Sequence, residues 1–191
     1  MTNKKYKIFH DGLDWAIKKP PKRLNPAIFC PSRDIFQARL DHLLNILPRQ
    51  LKNKNLAFLL IAVIGEIGNN SFDHNLGNWR DINGIYFNFD LASRLIALAD
   101  RGQGVLATIK KVRPKVSNDA AALKIAFTEI ISGRYPEQRG NGLKFVSKII
   151  QENNFKLRFF SGKASILINA KGLKIKKEIK KIPGTLAIIK F

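Results

Sequence analysis

The stretch LAFLLIAVIGEIGNNSFDHN, residues 56–75, changes character half-way along. Its first nine residues are apolar, and the rest includes Glu66, Asn69, Asn70 and Asp73. At about 100° of rotation per residue, these four polar residues share one stripe of an α-helix. The pattern predicts a buried helix from about 55 to 75 whose last turns expose one polar face. A helix that simply ends in polar residues is the alternative interpretation.

The composition fits one folded domain in the cytoplasm. The chain has 191 residues, of which 45% are apolar, and this is enough for a substantial core. The apolar run at 56–64 is too short to span a bilayer, and the N-terminus has no apolar segment typical of a signal peptide. The single cysteine, Cys30, excludes an internal disulfide and a multi-cysteine metal site.

The charge is strongly positive, with 34 basic and 14 acidic residues and a net charge of +20. Basic residues concentrate at 4–7, 18–23, 110–115 and 171–181. Such a charge attracts nucleic acid, nucleotides, anionic membranes or acidic proteins. A lysine-rich composition spread over solvated surfaces is the alternative interpretation.

The order of predicted elements indicates an α+β fold. Residues 1–33 are interpreted as a basic, proline-containing arm before a domain that spans 34–191. Helices are predicted at about 34–47 (ended by Pro48), 55–75, 118–132 (capped by Ser117 or Asn118) and 142–154, with a short basic helix after 104. Strands are predicted at 84–91, at 94–100 and in the C-terminal segments FKLRFF, ASILINA and TLAIIKF. The expected fold is a two-layer α/β sandwich, with a mixed, mostly antiparallel sheet and helices on one face.

Two glycine-rich turns carry further chemistry. Asp100 ends an apolar strand and is followed by Gly102 and Gly104, which allow a tight turn and close approach of a ligand. Gly140 and Gly142 precede a helix whose first amides can bind an anion. The first turn also satisfies G-x-G-x-x-A, but the crossover helix and second parallel strand of a dinucleotide site do not follow. The Walker pattern does not occur.

The three motifs E-x-x-x-N, D-x-G-x-G and G-x-G-L, in this order, resemble the GHKL ATPase superfamily over about 36–191. This superfamily includes DNA gyrase, the histidine kinases and the anti-sigma-factor serine kinases. Glu66–His74 is similar to the family's N box, and Asp100–Gly104 is similar to its first glycine box. Gly140–Leu143 resembles the second glycine box, and Pro183–Thr185 resembles the terminal G-T element.

The resemblance implies a Bergerat-type ATP-binding fold and a role for each matching residue. Glu66 would orient or deprotonate the attacking group, and Asn70 would hold Mg²⁺ against the phosphates. Asp100 would accept a hydrogen bond from the adenine amine, with Thr185 nearby. The other implied ATP contacts are Gly102, Gly104, Arg139, Gly140, Gly142, Leu143 and Lys144.

Within the superfamily, the chain most resembles the stand-alone anti-sigma-factor serine/threonine kinases. Residues 105–139 would form the ATP lid, and no transducer domain is expected after Thr185. The expected partner is a small protein that serves as phosphoacceptor or regulatory target. Nucleic acid and a second copy of the chain are further expected partners, and a membrane is not. The alternative hypothesis is a nucleotide-gated module that binds nucleic acid or an acidic protein without phosphoryl transfer.

Overall fold

A computed structural model of the chain describes residues 4–51, 53–129 and 142–191. The helices in these ranges are α1 (Lys4–Ile17), α2 (Arg33–Leu51), α3 (Lys54–Asn75), α4 (Val105–Val112), α5 (Asp119–Thr128) and α6 (Gly142–Glu152). The strands are β1 (Phe29–Cys30), β2 (Ile85–Asp90), β3 (Leu95–Asp100), β4 (Lys156–Asn169) and β5 (Gly172–Lys190).

The five described strands form one sheet in the order β1-β2-β3-β5-β4, and every neighbouring pair is antiparallel. The predicted α+β class, an antiparallel sheet packed with helices, is therefore confirmed. The last three predicted strands are in fact two. The segments FKLRFF and ASILINA form the single strand β4, and β5 begins well before TLAIIKF, at Gly172.

The prediction that Pro48 ends α2 is wrong, because the helix continues to Leu51. Proline lacks a backbone N–H, so Pro48 cannot donate to the carbonyl of Leu44. That position lies in the last turn, where the lost bond disrupts little of the helix. The apolar stripe packs into the core and holds the helix in place; its buried members are Phe36, Leu40, Leu43 and Leu47.

Both faces of the sheet are covered. Alternate residues of β3 point to opposite faces: Ile96 and Leu98 pack with α2–α6, whereas Ala97 and Ala99 pack with α1. The helix α1 lies within residues 1–33, which are interpreted from the sequence as an arm, with no helix predicted there. Its buried stripe consists of Ile8, Trp15 and Ala16, and Gly12 approaches Leu186 of β5 so closely that an added Cβ would lie 3.1 Å from it.

The core helix α3 is long and apolar enough to cross a membrane by length and composition alone. Core helices pass the same test, so this is weak evidence for a membrane span. Its buried residues, which contact α2, α6 and the sheet, are Ala57, Leu60, Val63, Ile64, Ile67, Gly68, Ser71 and Asn75. Asn53 caps its N-terminus by accepting a hydrogen bond from the amide of Leu56 at 3.2 Å.

A buried arginine joins α1 to the end of β3. The side chain of Arg101 is 2% exposed and forms two hydrogen bonds with the Asp81 carboxylate, at 2.6 and 2.7 Å. It also donates to the backbone carbonyls of Trp15 and Lys18 at the C-terminal end of α1. The hydrogen bond from Arg101 holds the pKa of Asp81 below its ordinary value. A guanidinium is suited to this role because its donors form a rigid fork.

We predict that Arg101→Met lowers the free energy of unfolding by about 3 kcal/mol, because it leaves Asp81 and two carbonyls without their donor. Arg49→Met, at an exposed position of α2, is the control and costs less than about 0.5 kcal/mol. Urea unfolding followed by tryptophan fluorescence measures both variants, since Trp15 lies in α1. Equal stability of the two variants would contradict the role given to Arg101.

Two glycines of α3 give a second, matched prediction. A Cβ on Gly68 would overlap the ring of Phe36, whereas a Cβ on Gly65 would meet only Leu40, at 3.5 Å. Gly65→Ala should therefore stabilise the protein by about 0.5–1 kcal/mol through helix propensity. Gly68→Ala should destabilise it by about 1–3 kcal/mol through overpacking. Thermal unfolding of both variants checks the prediction, which fails if their effects have the same sign.

Candidate functional site

The polar end of α3 faces a cavity of about 1320 Å³, which we call the α3–β3 cavity. It lies among the last turns of α3, the end of β3, one side of α4 and the first turn of α6. Seven of the predicted site residues line it: Glu66, Asn70, Asp100, Gly104, Gly142, Leu143 and Thr185. The structure therefore brings together residues that are far apart in the chain.

Two predicted site residues within the described ranges, Gly102 and Lys144, do not line this cavity. Gly102 lines a second cavity, of about 460 Å³, and Gly104 lines both. Lys144 is exposed on the first turn of α6. Arg139 and Gly140 lie outside the described residues, as does most of the second half of the predicted lid.

Asp100 is the most buried ionisable carboxylate of the site, with 1% of its surface exposed. Its Oδ1 accepts hydrogen bonds from the amides of Gly102 at 2.9 Å and Thr185 at 3.2 Å. Its Oδ2 accepts from the hydroxyls of Ser71 at 3.0 Å and Thr185 at 2.5 Å. The four donors occupy the lone-pair sites of the carboxylate, so a buried charge at this position is compensated without a cation.

The environment of Asp100 acts on its pKa in two directions. Burial raises the pKa above the ordinary value of an aspartate, and the hydrogen bonds from Thr185, Gly102 and Ser71 lower it. The two donors on Oδ2 are hydroxyls, which can rotate without any movement of the backbone. The lone pairs of Oδ2 can therefore be offered to a ligand that carries its own N–H donor.

The glycines around Asp100 are required by space as well as by backbone conformation. Gly104 has φ +77°, and a Cβ there would lie 2.7 Å from the carbonyl oxygen of Pro183. A Cβ on Gly184 would overlap Asp100 itself, and one on Gly102 would overlap the side chain of Asn75. Any side chain at these positions would displace the carboxylate or the turn that holds it.

Glu66 and Asn70 form a pair one turn apart on α3, because residues at i and i+4 lie on the same face. The Asn70 Nδ2 atom donates to Oε1 of Glu66 at 2.9 Å. This bond leaves the Oδ1 atom of Asn70 as an acceptor for another group. A Cβ on Gly142 would overlap Oε1 of Glu66, so the start of α6 lies directly against the carboxylate.

The oxygen atoms beside this pair fit a magnesium ion that is held mainly by water and phosphate. The Oδ1 atom of Asn69 is buried without a hydrogen-bond partner, and Asn69 lines the cavity next to Asn70. Among the described residues, no cluster of three or more His, Cys, Asp or Glu side chains is present. Magnesium does not need such a cluster, since it binds through few protein oxygens and keeps several waters.

Asp73 and His74, to which the family resemblance gives no role, have local partners. Asp73 forms an ion pair with Arg33 at the start of α2, so its carboxylate is already engaged. His74 lines the cavity, and burial lowers its pKa, which favours the neutral imidazole. Its carbonyl accepts a hydrogen bond from the side chain of Gln103 at 2.6 Å, which ties α3 to the glycine turn.

Sequence reasoning missed two buried polar residues of the site, Ser71 and Asn75. Both lie off the polar stripe, and Asn75 accepts a hydrogen bond from the amide of Gln103 at 3.1 Å. The only sequence signal was that a small or polar residue occupies a helix position expected to be buried. This signal does not identify the group with which the side chain forms a hydrogen bond. Their partners become evident only when β3 is placed beside α3.

A scan against protein-family models gives no match for this chain, and a search of curated proteins gives none either. The resemblance to the GHKL superfamily therefore rests on the motifs of the sequence alone.

Removal of the Thr185 hydroxyl should reveal the free-energy cost of burying the Asp100 carboxylate. We expect Thr185→Val to lower the free energy of unfolding by about 1–3 kcal/mol at neutral pH, because the carboxylate loses a donor. The same change raises the pKa of Asp100 further, so the loss should shrink as the pH falls through that pKa and the carboxyl becomes neutral.

Urea unfolding at neutral and at mildly acidic pH measures this effect. Thr128→Val is the control, because its hydroxyl donates only to the Lys124 carbonyl at an exposed position of α5. The interpretation of Asp100 is wrong if the loss for Thr185→Val does not depend on pH.

Proposed function

We propose that the protein binds Mg-ATP in the α3–β3 cavity and acts in the cytoplasm as a regulatory kinase or ATPase on a partner protein. The observation that carries the proposal is the buried Asp100 carboxylate, held in the same cavity as the Glu66–Asn70 pair. The motif order of the GHKL superfamily supports it, since seven of the matching positions line one cavity.

In this proposal, Asp100 recognises the adenine amine. The amine donates to Oδ2, and the hydroxyls of Ser71 and Thr185 rotate toward other acceptors of the base or its water shell. Gly102 and Gly104 leave the backbone free of side chains where the base and ribose pass. The site prefers adenine because a carboxylate accepts a hydrogen bond from an N–H donor and repels a carbonyl oxygen.

At the other end of the cavity, Glu66 acts on the attacking group. Its carboxylate accepts a proton from water or from a partner's hydroxyl, and the amide of Asn70 holds it in position through the 2.9 Å hydrogen bond. The amides of Gly142 and Leu143, at the N-terminus of α6, face the phosphates. Asn70 and the free Oδ1 atom of Asn69 would hold a magnesium ion, which would supply positive charge to the phosphate oxygens.

The nucleotide-gated binding module is the second candidate function. The net charge of +20 favours it, because such a charge attracts polyanions whether or not phosphate is transferred. In that case ATP binds through Asp100 in the same way, and Glu66 has no catalytic role. The two functions therefore differ only in the fate of the γ-phosphate.

Discrimination between ATP and ITP tests the role of Asp100. ITP carries a carbonyl oxygen where ATP carries the amine, so we expect ATP to bind at least about tenfold more tightly, the cost of one unpaired buried group. Asp100→Asn should abolish or invert this preference, because its amide donates to a carbonyl. Isothermal titration measures the ratio of the two affinities. Equal affinities for wild-type protein would refute adenine recognition by Asp100.

Labelled ATP tests the role of Glu66. The protein is incubated with γ-labelled ATP, Mg²⁺ and the products of neighbouring genes, and the label is followed onto protein or into free phosphate. We expect Glu66→Gln and Glu66→Ala to retain ATP binding and lose about 10²–10⁴-fold in turnover. Asp73→Asn, a carboxylate of the same helix paired with Arg33, should keep its turnover.

Normal turnover by Glu66→Ala would overturn the catalytic assignment. ATP binding without release or transfer of label by the wild-type protein would favour the binding module.

A further inference from the structure

The hairpin of β4 and β5 carries a long run of exposed positive charge. We call residues 171–181 the lysine ribbon. The segment has one acidic residue, Glu178, and its six lysines are all exposed: Lys171, Lys174, Lys176, Lys177, Lys180 and Lys181. None of these lysines takes part in an ion pair within the described residues.

The lysine ribbon extends beyond the body of the sheet. The partner strand β3 pairs with β5 only from Leu186 to Lys190, so the earlier part of β5 pairs with β4 alone among the described strands. The register shifts between the pairs Gly162–Ile182 and Ala164–Lys177. Residues 178–181 therefore stand opposite a single residue of β4 and bulge outward.

The bulge separates the two kinds of side chain within it. Glu178 turns back to the sheet, where it accepts hydrogen bonds from Arg158 at 2.9 Å and Ser165 at 2.5 Å. Ile179 projects into solvent and is fully exposed. The only acidic side chain of the ribbon is thus engaged by Arg158 and Ser165, and the six lysines lie exposed on the surface.

We propose that the lysine ribbon is a docking surface for the phosphate backbone of double-stranded DNA. The ribbon carries six lysines and one carboxylate, and this positive charge complements a DNA duplex, which carries one negative charge per about 1.7 Å of helix axis. The ribbon contains no aromatic side chain on which single-stranded bases could stack. One exposed isoleucine is too small an apolar surface to anchor the protein in a membrane.

The basic surface continues from the ribbon toward the candidate active site. Lys181 lines the smaller cavity of about 460 Å³ together with Arg80 and Lys110. Gly102 and Gly104 form part of the same cavity, and Gly104 also lines the α3–β3 cavity. A duplex on the ribbon would therefore lie beside the turn that holds Asp100. The surface itself does not depend on ATP binding.

Binding of a labelled DNA duplex, measured without nucleotide, tests the surface. The duplex has about 20 base pairs, roughly 70 Å of helix, and fluorescence anisotropy is recorded over a range of salt concentrations. The test variant is Lys176→Ala with Lys177→Ala and Lys180→Ala. The matched control removes three exposed lysines elsewhere: Lys22→Ala with Lys54→Ala and Lys124→Ala.

We expect the ribbon variant to lose at least about tenfold in affinity at low salt, and its slope of log K against log salt to fall by about 2.7 for three lost phosphate contacts. The control, which has the same net charge, should lose less than about twofold. An equal loss in both variants would overturn the proposal, since the lysines would then act only through total charge.

Competition settles the identity of the partner. Single-stranded DNA, duplex RNA, polyglutamate and anionic lipid vesicles are each added against the labelled duplex, and equal or tighter binding of any of them overturns the choice of DNA. The lysines replaced in the ribbon variant line neither cavity. ATP affinity should therefore be unchanged in that variant, and failure of ATP binding in the wild-type protein leaves the DNA test unaffected.

Discussion

The buried carboxylate of Asp100 is the interaction on which the arrangement of the site depends. It lies at the end of β3, and its four donors come from α3, from the glycine turn and from β5. A buried charge without such donors would cost several kcal/mol, so each of these elements is constrained to meet it. The same contacts position the Glu66–Asn70 pair, since Ser71 follows Asn70 on the same helix.

The next residue, Arg101, is also a buried charge that is stabilised by its hydrogen-bond partners, but its charge is positive. Asp100 is stabilised by donors from α3, from the glycine turn and from β5. Arg101 is stabilised by Asp81 and by backbone carbonyls at the end of α1. Two consecutive buried charges thus connect the site to a helix on the other face of the sheet. The buried Arg101 side chain therefore has a structural role.

Local patterns predicted much of the fold and of the site. The polar stripe predicted after the apolar run lies at the end of α3, where it faces a cavity, and β2, β3 and α6 lie close to their predicted bounds. The gap between the predicted strands FKLRFF and ASILINA contains Gly162, which has φ +60° and lies at the register shift within the single strand β4. Contacts over long sequence separations, such as Arg101 with Trp15, leave no periodic signal and were not predicted. The apolar stripe of α1 is present in the sequence, but the lysines around it favour an interpretation as a basic arm.

The covering of the sheet by α1 has a consequence for the order of folding. The helix precedes all the other described elements, and it packs against Ile182 and Leu186 of β5. During synthesis, its buried stripe therefore has no complete partner surface until β5 has left the ribosome. Contacts between the two ends of a chain slow folding, because a long loop must close first. Docking of α1 is accordingly expected among the last steps, after α3 and β3 have met.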